Sequence, residues 1–513
     1  VILDDWFASR GWTPFAFQHE VWDVYANGQS GLVHAATGTG KTLAAWGGPL
    51  AEWFAETGGR APRNVRRGTT PPLRVLWITP LRALAADTEE ALRKQIDDLG
   101  IPWSLESRTG DTSAALRARQ RRRLPTALIT TPESLSLLLT REDSRELFAD
   151  LRVVIVDEWH ELMGSKRGVL VELALARLRF FQPALRTWGL SATIGNLGDA
   201  ASTLLGVSGD PKIVRGVDPK QVVIDALIPP VIERFPWAGH LGTQMVPYVV
   251  AAIEEGESAI VFTNTRSQTE IWYQAILAAR PDWAGLIALH HGSLDRAKRD
   301  WVENGLRTGK LRAVVATSSL DLGVDFSPVD RVLQIGSPKG VARILQRAGR
   351  SGHRPGAVSR VTCVPTNSLE LIEVAAARDG VERGAIEARL PIERPLDVLA
   401  QHVVTVALGG GFEPMQLLSE VRTTRAYAEL TDVEWAWVLA FLEHGGDALR
   451  AYKEYSRIVL VNDRYVVEDV EVARRHRMSI GTIVGDAQIN VQYLRGKALG
   501  SVEESFIARL KRG

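Results

Sequence analysis

The chain has 513 residues, 45% of them apolar and 24% charged, which excludes a disordered or membrane-embedded protein and is too much for one core at about 100–200 residues per domain. Its 61 basic and 60 acidic side chains leave a net charge of +1, so any nucleic-acid partner must be argued from local sites. A single cysteine, Cys363, excludes an internal disulfide framework and a cysteine-cluster metal site, and it fits a reducing cytoplasm.

At the start, Asp4 and Asp5 stand where an export signal would be basic. Gly11-Trp12-Thr13-Pro14 with Gln18 then places an amide that can pair with the N6 and N7 edge of adenine. Read alone, the same segment is equally an amphipathic helix start with buried aromatics. An apolar strand over 31–36 runs into Ala35-Ala36-Thr37-Gly38-Thr39-Gly40-Lys41-Thr42, which opens a helix. This is a phosphate-binding loop with Ala35 at the first glycine position. Gly38 and Gly40 turn backbone N–H groups inward with Thr37 and Thr39, Lys41 reaches the β- and γ-phosphates, and Thr42 ligates Mg²⁺.

Residues 58–72, rich in Gly, Pro and Arg, read as an inserted surface loop. Strand-like runs follow at 73–79, 127–131, 152–157 and 187–191. Between them, Arg117 to Arg123 holds five arginines and reads equally as a nucleic-acid patch or a solvated helix face. The run 152–157 ends on Asp157-Glu158-Trp159-His160, and hydrolysis of ATP needs a metal anchor and a group to orient water. Asp157 suits the first role and Glu158 the second, while Trp159 is expected only to pack.

Residues 214–231, broken by prolines, are expected to link this unit to a second. Its strand-like runs are 258–264, 285–290, 311–317, 331–336 and 358–364. Short apolar runs alternating with helix-length segments predict two tandem RecA-like α/β domains with parallel sheets, with ligands beyond the carboxyl ends of the strands. Gln346-Arg347-Ala348-Gly349-Arg350 lies late in the second unit. Arg350 is the expected arginine finger for the γ-phosphate, with Gln346 and Arg347 in support.

From Pro395, apolar residues recur at helical spacing, and two further helices over 415–422 and 432–444 precede strands at 457–461 and 465–468. Three helices and a hairpin read as a winged helix, after which 479–513 reads as the start of a further β-rich segment of a longer protein. The expected boundaries are 1–213, 214–388, 389–475 and 476–513. The ten histidines do not cluster with cysteine or paired acids, so no zinc site is expected.

In order and spacing, the set ATGTGKT, TPLRAL (79–84), TTPESL (130–135), DEWH, SAT (191–193), VFTNTR (261–266), ATSSLDLGVD (316–325) and QRAGRSGH (346–353) resembles a DEXH-box superfamily 2 helicase. The detail DEWHELMGSKRG resembles the Lhr family, and RPLDVLAQH and RRHRMSIGTIV are most similar to its bacterial DNA-ligase-associated branch. The resemblance implies that Ser191 and Thr193 couple hydrolysis to domain motion. It also implies that Arg82, Thr131, Arg266 and Thr317 touch the strand backbone, and that Gly323 and Asp325 lie near the ribose or the domain interface. His353 stands where many relatives carry a further arginine, which leaves open how many arginines meet the γ-phosphate.

A sequence-indifferent track needs phosphate contacts, for which Arg82, Arg266, Thr131, Thr317 and Ser318 are suitable types. The run 474–477, Arg475 included, is expected near the strand exit. Ile480 is either an apolar wedge against a base or core, and the burial habit of isoleucine favours core. The reading implied is an ATP- and Mg²⁺-dependent 3′-to-5′ translocase on single-stranded DNA that unwinds DNA or RNA:DNA duplexes in repair, beside partners such as a ligase or nuclease. A remodelling ATPase that separates no strands and an RNA helicase are the alternatives.

Overall fold

Short β-branched runs between longer amphipathic stretches build two parallel sheets. The structure is a computed structural model that describes residues 2–36, 38–58, 70–207, 209–216, 222–228, 242–321, 329–351, 358–445, 456–481, 488–492 and 498–503. The first sheet comprises β1 (Gly31–His34), β2 (Val75–Ile78), β3 (Leu105–Arg108), β4 (Ala127–Thr130), β5 (Val153–Val156), β6 (Arg186–Ser191) and β7 (Lys212–Arg215), in the order β3-β4-β2-β5-β6-β1-β7. The second comprises β8 (Val222–Ala226), β9 (Ala259–Phe262), β10 (Ile287–His290), β11 (Ala313–Ala316), β12 (Arg331–Ile335) and β13 (Ser359–Val364), in the order β10-β11-β9-β12-β13-β8.

Both sheets are covered on two faces, so central strands are apolar throughout rather than alternating. All four residues of β5, Val-Val-Ile-Val, are fully buried. Val153 and Ile155 join one core, with Trp46, Trp77 and Trp103, and Val154 and Val156 join the other, with Trp159 and Leu175.

Three strands were missed in the sequence: β3, β7 and β8. Two of them enter the expected linker over 214–231. β7 takes only Val214 and Arg215 of it, alongside β1, and β8 takes Val222–Ala226, in parallel with β13, so among the described residues seven of its eighteen are strand. Both are half-buried edge strands; Lys212 and Arg215 hide the apolar signal of β7, whereas the run Val222-Val223-Ile224 of β8 was read as linker.

The helices Leu396–Leu408, Pro414–Val421 and Asp432–His444 precede a hairpin of β14 (Val459–Val461) and β15 (Arg464–Val466). That is the expected winged helix. Its turn places Asn462 and Asp463 at φ of 49° and 63°, the left-handed pair that a two-residue hairpin loop requires. A last helix spans Val470–Ser479, and β16 (Gln488–Gln492) and β17 (Ala498–Glu503) pair antiparallel.

By its contacts the chain divides into two compact units, residues 1–217 with 389–485, and residues 218–388 with 486–513. The winged helix thus packs with the first sheet. The helix Lys166–Phe181 explains why: it is apolar nearly all round, because Val171, Leu175 and Leu178 face the sheet while Val169, Leu170 and Leu173 enter the winged-helix core. Inside this seam Arg177 Nη1 donates to Glu420 Oε2 at 2.9 Å. Among the described residues no helix is long and apolar enough to cross a membrane.

Candidate nucleotide and nucleic-acid site

β1 ends in the phosphate loop, whose Gly38 and Gly40 have φ of 79° and 83°, a backbone conformation that side-chain-bearing residues avoid. Gly40 is doubly required, since a Cβ there would stand 2.7 Å from Gln18 Nε2. Thr39 Oγ1 donates to Ala36 O at 2.7 Å and closes the loop. Thr37 lies outside the described residues. Gln18 is buried, and both ends of its amide are engaged within the chain. Nε2 donates to Gly40 O at 3.0 Å and Oε1 accepts from Phe15 N at 2.8 Å, so this residue braces the loop.

Lys41 begins the helix Lys41–Thr57 and is buried, with no hydrogen-bond partner for Nζ among the described residues. Thr42 follows it, half-buried. Across the sheet, Asp157 closes β5. Its Oδ1 accepts from Glu158 N at 2.9 Å and its Oδ2 from Trp77 Nε1 at 3.3 Å. Burial, and then the neighbouring Glu158, push the Asp157 carboxyl up to about 7, against the pull of Lys41. A buried ammonium without an acceptor beside two crowded carboxylates is a site short of a ligand. The set fits a nucleotide triphosphate with Mg²⁺: Lys41 supplies charge for phosphate oxygens, and Thr42 and Asp157 are hard oxygen donors of the type that cation takes.

Glu158 adopts a left-handed φ of 44° at the start of the turn Trp159–Leu162. His160, fully buried, places Nδ1 3.5 Å from Glu158 Oε2 and 3.5 Å from Ala192 N. Burial lowers its pKa, so it is neutral, and the donor at Ala192 assigns the remaining proton to Nε2. His160 therefore sits between the acidic pair and the Ser191–Thr193 segment, hydrogen-bonded to Ala192 N and packed beside the Glu158 carboxylate, a placement the sequence reading missed although the fourth letter of DEWH marked it. Ser191 Oγ is buried without a partner among the described residues, and Thr193 is buried beside it. Trp159 packs as expected, its Nε1 donating to Ala200 O at 2.8 Å.

On the same sheet edge Arg82 opens the helix Arg82–Asp98, exposed, with Nη1 3.3 Å from Asp111 Oδ1. Thr131 is buried, its hydroxyl 3.2 Å from that of Ser134. The basic run at 474–477 divides. Arg474 and Arg475 are exposed near Glu471, His476 is buried against Thr405, and Arg477 donates to Thr140. Ile480, half-buried, ends the helix, and Gly481 packs on Glu133.

In the second unit, Arg266 opens the helix Arg266–Ala279, half-buried, and Ser318 is exposed. Thr317 Oγ1 donates to Ser319 Oγ at 3.3 Å, which in turn lies 2.8 Å from Nδ1 of the buried His290. Gln346, Arg347 and Arg350 are all buried. Arg347 is not where a supporting phosphate contact would be: Nε and Nη2 donate to Asp321 at 2.8 and 3.2 Å, Nη1 donates to Gln334 Oε1, and its guanidinium lies over the Phe262 ring. Each of its three nitrogens is engaged in the core, which makes it a strut. Arg350 Nη2 donates to Asp321 O at 3.2 Å. Gly323, Asp325 and His353 lie outside the described residues.

Three family models match the chain: DEAD/DEAH box helicase over residues 15–200, helicase conserved C-terminal domain over 243–355, and Large helicase-related protein, winged helix domain, over 379–513. The ATP-dependent helicase Lhr-Core of Methanocaldococcus jannaschii is 31% identical, the match covering 100% of this chain and 60% of that protein. The Lhr helicase/uracil glycosylase of Escherichia coli is 34% identical over 83% of this chain and 31% of its own. The solved Mycobacterium smegmatis helicase Lhr bound to ssDNA and AMP-PNP superposes with a TM-score of 0.81 at 31% identity, covering 97% of this chain and 64% of that one. The chain thus spans about three-fifths of the archaeal Lhr-Core protein it matches. Two helicase domains and the winged helix in this order, over nearly the whole chain, place it in the Lhr family of DEAD/DEAH-box helicases.

Proposed function

We propose that the chain is the motor of an ATP-dependent DNA helicase that moves 3′ to 5′ on single-stranded DNA and unwinds DNA or RNA:DNA duplexes. The observation that carries this reading is the buried set Lys41, Asp157 and Glu158, with His160 packed beside Glu158 and hydrogen-bonded to the backbone of Ala192. It gives a phosphate site a mechanical outlet. Lys41 and the loop hold the phosphates, Glu158 orients the attacking water, and the Ser191–Thr193 segment passes the change on. Mg²⁺, when bound at Thr42 and Asp157, neutralises charge on the phosphates. The sequence resemblance assigns Arg350, with Gln346, to the charge on the γ-phosphate, and Gly323, Asp325 and His353 to nucleotide binding.

Strand contact is assigned to Arg82, Thr131, Arg266, Thr317, Ser318 and Arg475, with Ile480 at the exit. The relative bound to ssDNA and AMP-PNP supports single-stranded DNA and ATP as ligands. Membership of the ligase-associated branch, a cytoplasmic repair role and a ligase or nuclease partner rest on the sequence resemblance.

The test is steady-state ATP hydrolysis without polynucleotide, with single-stranded DNA, and with RNA of matched length, beside a strand-displacement assay. Stimulation by DNA with displacement is expected. Hydrolysis indifferent to any nucleic acid sinks the reading, and stimulation by RNA alone transfers it to RNA. Arg350→Ala is expected to lower turnover by about 10³-fold, the scale of a lost arginine finger.

A further inference from the structure

The chain leaves the second unit after the helix Ser368–Glu382 and re-enters the first at Arg389. Both sides of that crossing are fastened, with only Ala388 between the two fastenings.

On the side of the second unit, Glu387 turns its carboxylate to the start of the helix Val341–Ala348. Oε1 accepts from Val341 N, and Oε2 accepts from Ala342 N at 2.9 Å, so two N–H groups that have no partner within the helix are satisfied. Gly340 makes room for it. A Cβ there would stand 2.8 Å from Oε1, and its φ of 127° is one that side-chain-bearing residues avoid. The same helix carries Gln346 and Arg347 and leads into Arg350.

On the side of the first unit, Asn196 grips the backbone of Arg389. Nδ2 donates to Arg389 O and Oδ1 accepts from Arg389 N, each at 2.9 Å, a reciprocal pair like one rung of a sheet. Asn196 is the N-cap of the helix Leu197–Leu205, where an asparagine usually bonds its own first turn of backbone, and it makes no such bond. Asp199 Oδ2 accepts from the same Nδ2 at 2.8 Å and fixes the amide. Asn196 stands three residues after Thr193, and the Arg389 guanidinium lies 3.9 Å from Glu161 Oε1, one residue after His160. The chain therefore lands at the ends of both the Asp157–His160 and the Ser191–Thr193 segments. It stays close beyond that point, since a Cβ on Gly164 would stand 2.9 Å from Leu390 O.

We infer that Glu387, Ala388 and Arg389 form a short tie between the arginine-bearing helix of the second unit and the coupling segment of the first, with Glu387 and Asn196 its positioning residues. The inference rests on the function proposed above, in which Arg350 and the Ser191–Thr193 segment serve one ATP cycle. A two-residue span reaches at most about 7 Å, so the tie has no slack and a displacement at one fastening is passed to the other. An anchor for the winged helix needs Asn196 and Arg389 only, and capping a helix needs Glu387 only. Their separation by one residue is what makes a tie.

The experiment measures ATP consumed per strand displaced from a tailed DNA duplex, with a melting curve for each variant. Asn196→Ala releases one fastening. Insertion of two glycines after the exposed Ala388 keeps both and adds about 7 Å of slack. Each change is expected to raise ATP consumed per strand by roughly two- to thirtyfold, the range of coupling changes, with KM for ATP unaltered. Combined, they should cost no more than the larger single loss, because both cut one tie. Normal coupling in the insertion variant overturns the inference, and so does a combined loss equal to the product of the two single losses. Should Asn196→Ala melt early, the insertion alone decides. A wild type that hydrolyses ATP indifferently to DNA removes the proposed function and the tie with it, whereas a coupled wild type with unaltered variants removes the tie alone.

Discussion

The indole N–H of Trp77 donates to Oδ2 of Asp157 at 3.3 Å, from the middle of one strand to the end of its neighbour. With Glu158 N on Oδ1, both carboxylate oxygens have a donor, and the side chain is held in one orientation. Trp77 is buried against Trp46, which stands one turn beyond the phosphate loop. The tryptophan core under the sheet thus reaches the acidic pair.

Trp77→Phe keeps an aromatic ring in that core and removes the N–H. The Mg²⁺ concentration for half-maximal hydrolysis is expected to rise about tenfold, on the scale of lost outer-shell partners of a metal ligand. Titrating Mg²⁺ against binding of a fluorescent ADP gives the same quantity without turnover. An unchanged Mg²⁺ dependence makes the contact incidental.

Among the described residues the buried Lys41 ammonium has no hydrogen-bond partner, which costs stability when no phosphate is present. Lys41→Met is expected to stabilise the nucleotide-free chain by roughly 1–3 kcal/mol, the penalty of an unsatisfied buried group. The same variant should lose the rise in melting temperature that ATP gives the wild type. Calorimetry with and without ATP reads both effects.

Arg347 and Asp321 form a buried ion pair with every guanidinium nitrogen engaged. Asp321→Ala leaves that charge without its carboxylate, and a loss of about 3–5 kcal/mol is expected. Its signature is early melting of the second unit, with hydrolysis lost only because the fold is lost. A variant that melts normally yet hydrolyses slowly would return Arg347 to the chemistry.

Glu172, buried where the helix Lys166–Phe181 meets the winged helix, accepts from Ala426 N at 3.0 Å, and burial pushes its pKa from an ordinary 4.5 to about 8. Below 4.5 the group is protonated both folded and unfolded, so it adds no pH dependence there. Between 4.5 and about 8 only the folded chain keeps the proton, so stability falls as pH rises through that window. Glu172→Gln is expected to flatten this fall. Melting curves at several pH values within the window should show variant and wild type diverging toward the alkaline end, and parallel curves would place the proton elsewhere.

Much of this was legible in the chain itself. The apolar runs at β2, β4, β5, β9 and β11 announce two parallel sheets, because a strand buried on both faces is apolar along nearly its whole length. The phosphate loop and Asp157-Glu158 are local in sequence, since a tight turn and a strand end need their glycines and acids side by side. The hairpin at Asn462–Asp463 was legible for the same reason. The edge strands β3 and β7 were not, because half-exposed segments such as Leu105–Arg108 and Lys212–Arg215 have the composition of a loop, and β8, although Val222-Val223-Ile224 is strand-like, was read as linker.

Only the tertiary structure decided which partners these residues take. Nothing near Trp77 in sequence points to Asp157, 80 residues away, and nothing near Arg347 to Asp321, 26 away. Gln18 meets Gly40 because the helix Ala16–Ala26 packs on the helix Lys41–Thr57, and His160 meets Ala192 because β5 and β6, distant in the chain, are neighbours in the sheet. The arginines at 117–123 look alike as a run, yet Arg117 is held on the carbonyls of Thr109 and Gly110, Arg119 on Glu106 and Arg123 on the carbonyl of Thr70. Spacing along a chain gives residue types and local turns. Burial and the direction of each side chain come from packing, and they separate a strut such as Arg347 from a group left facing a ligand.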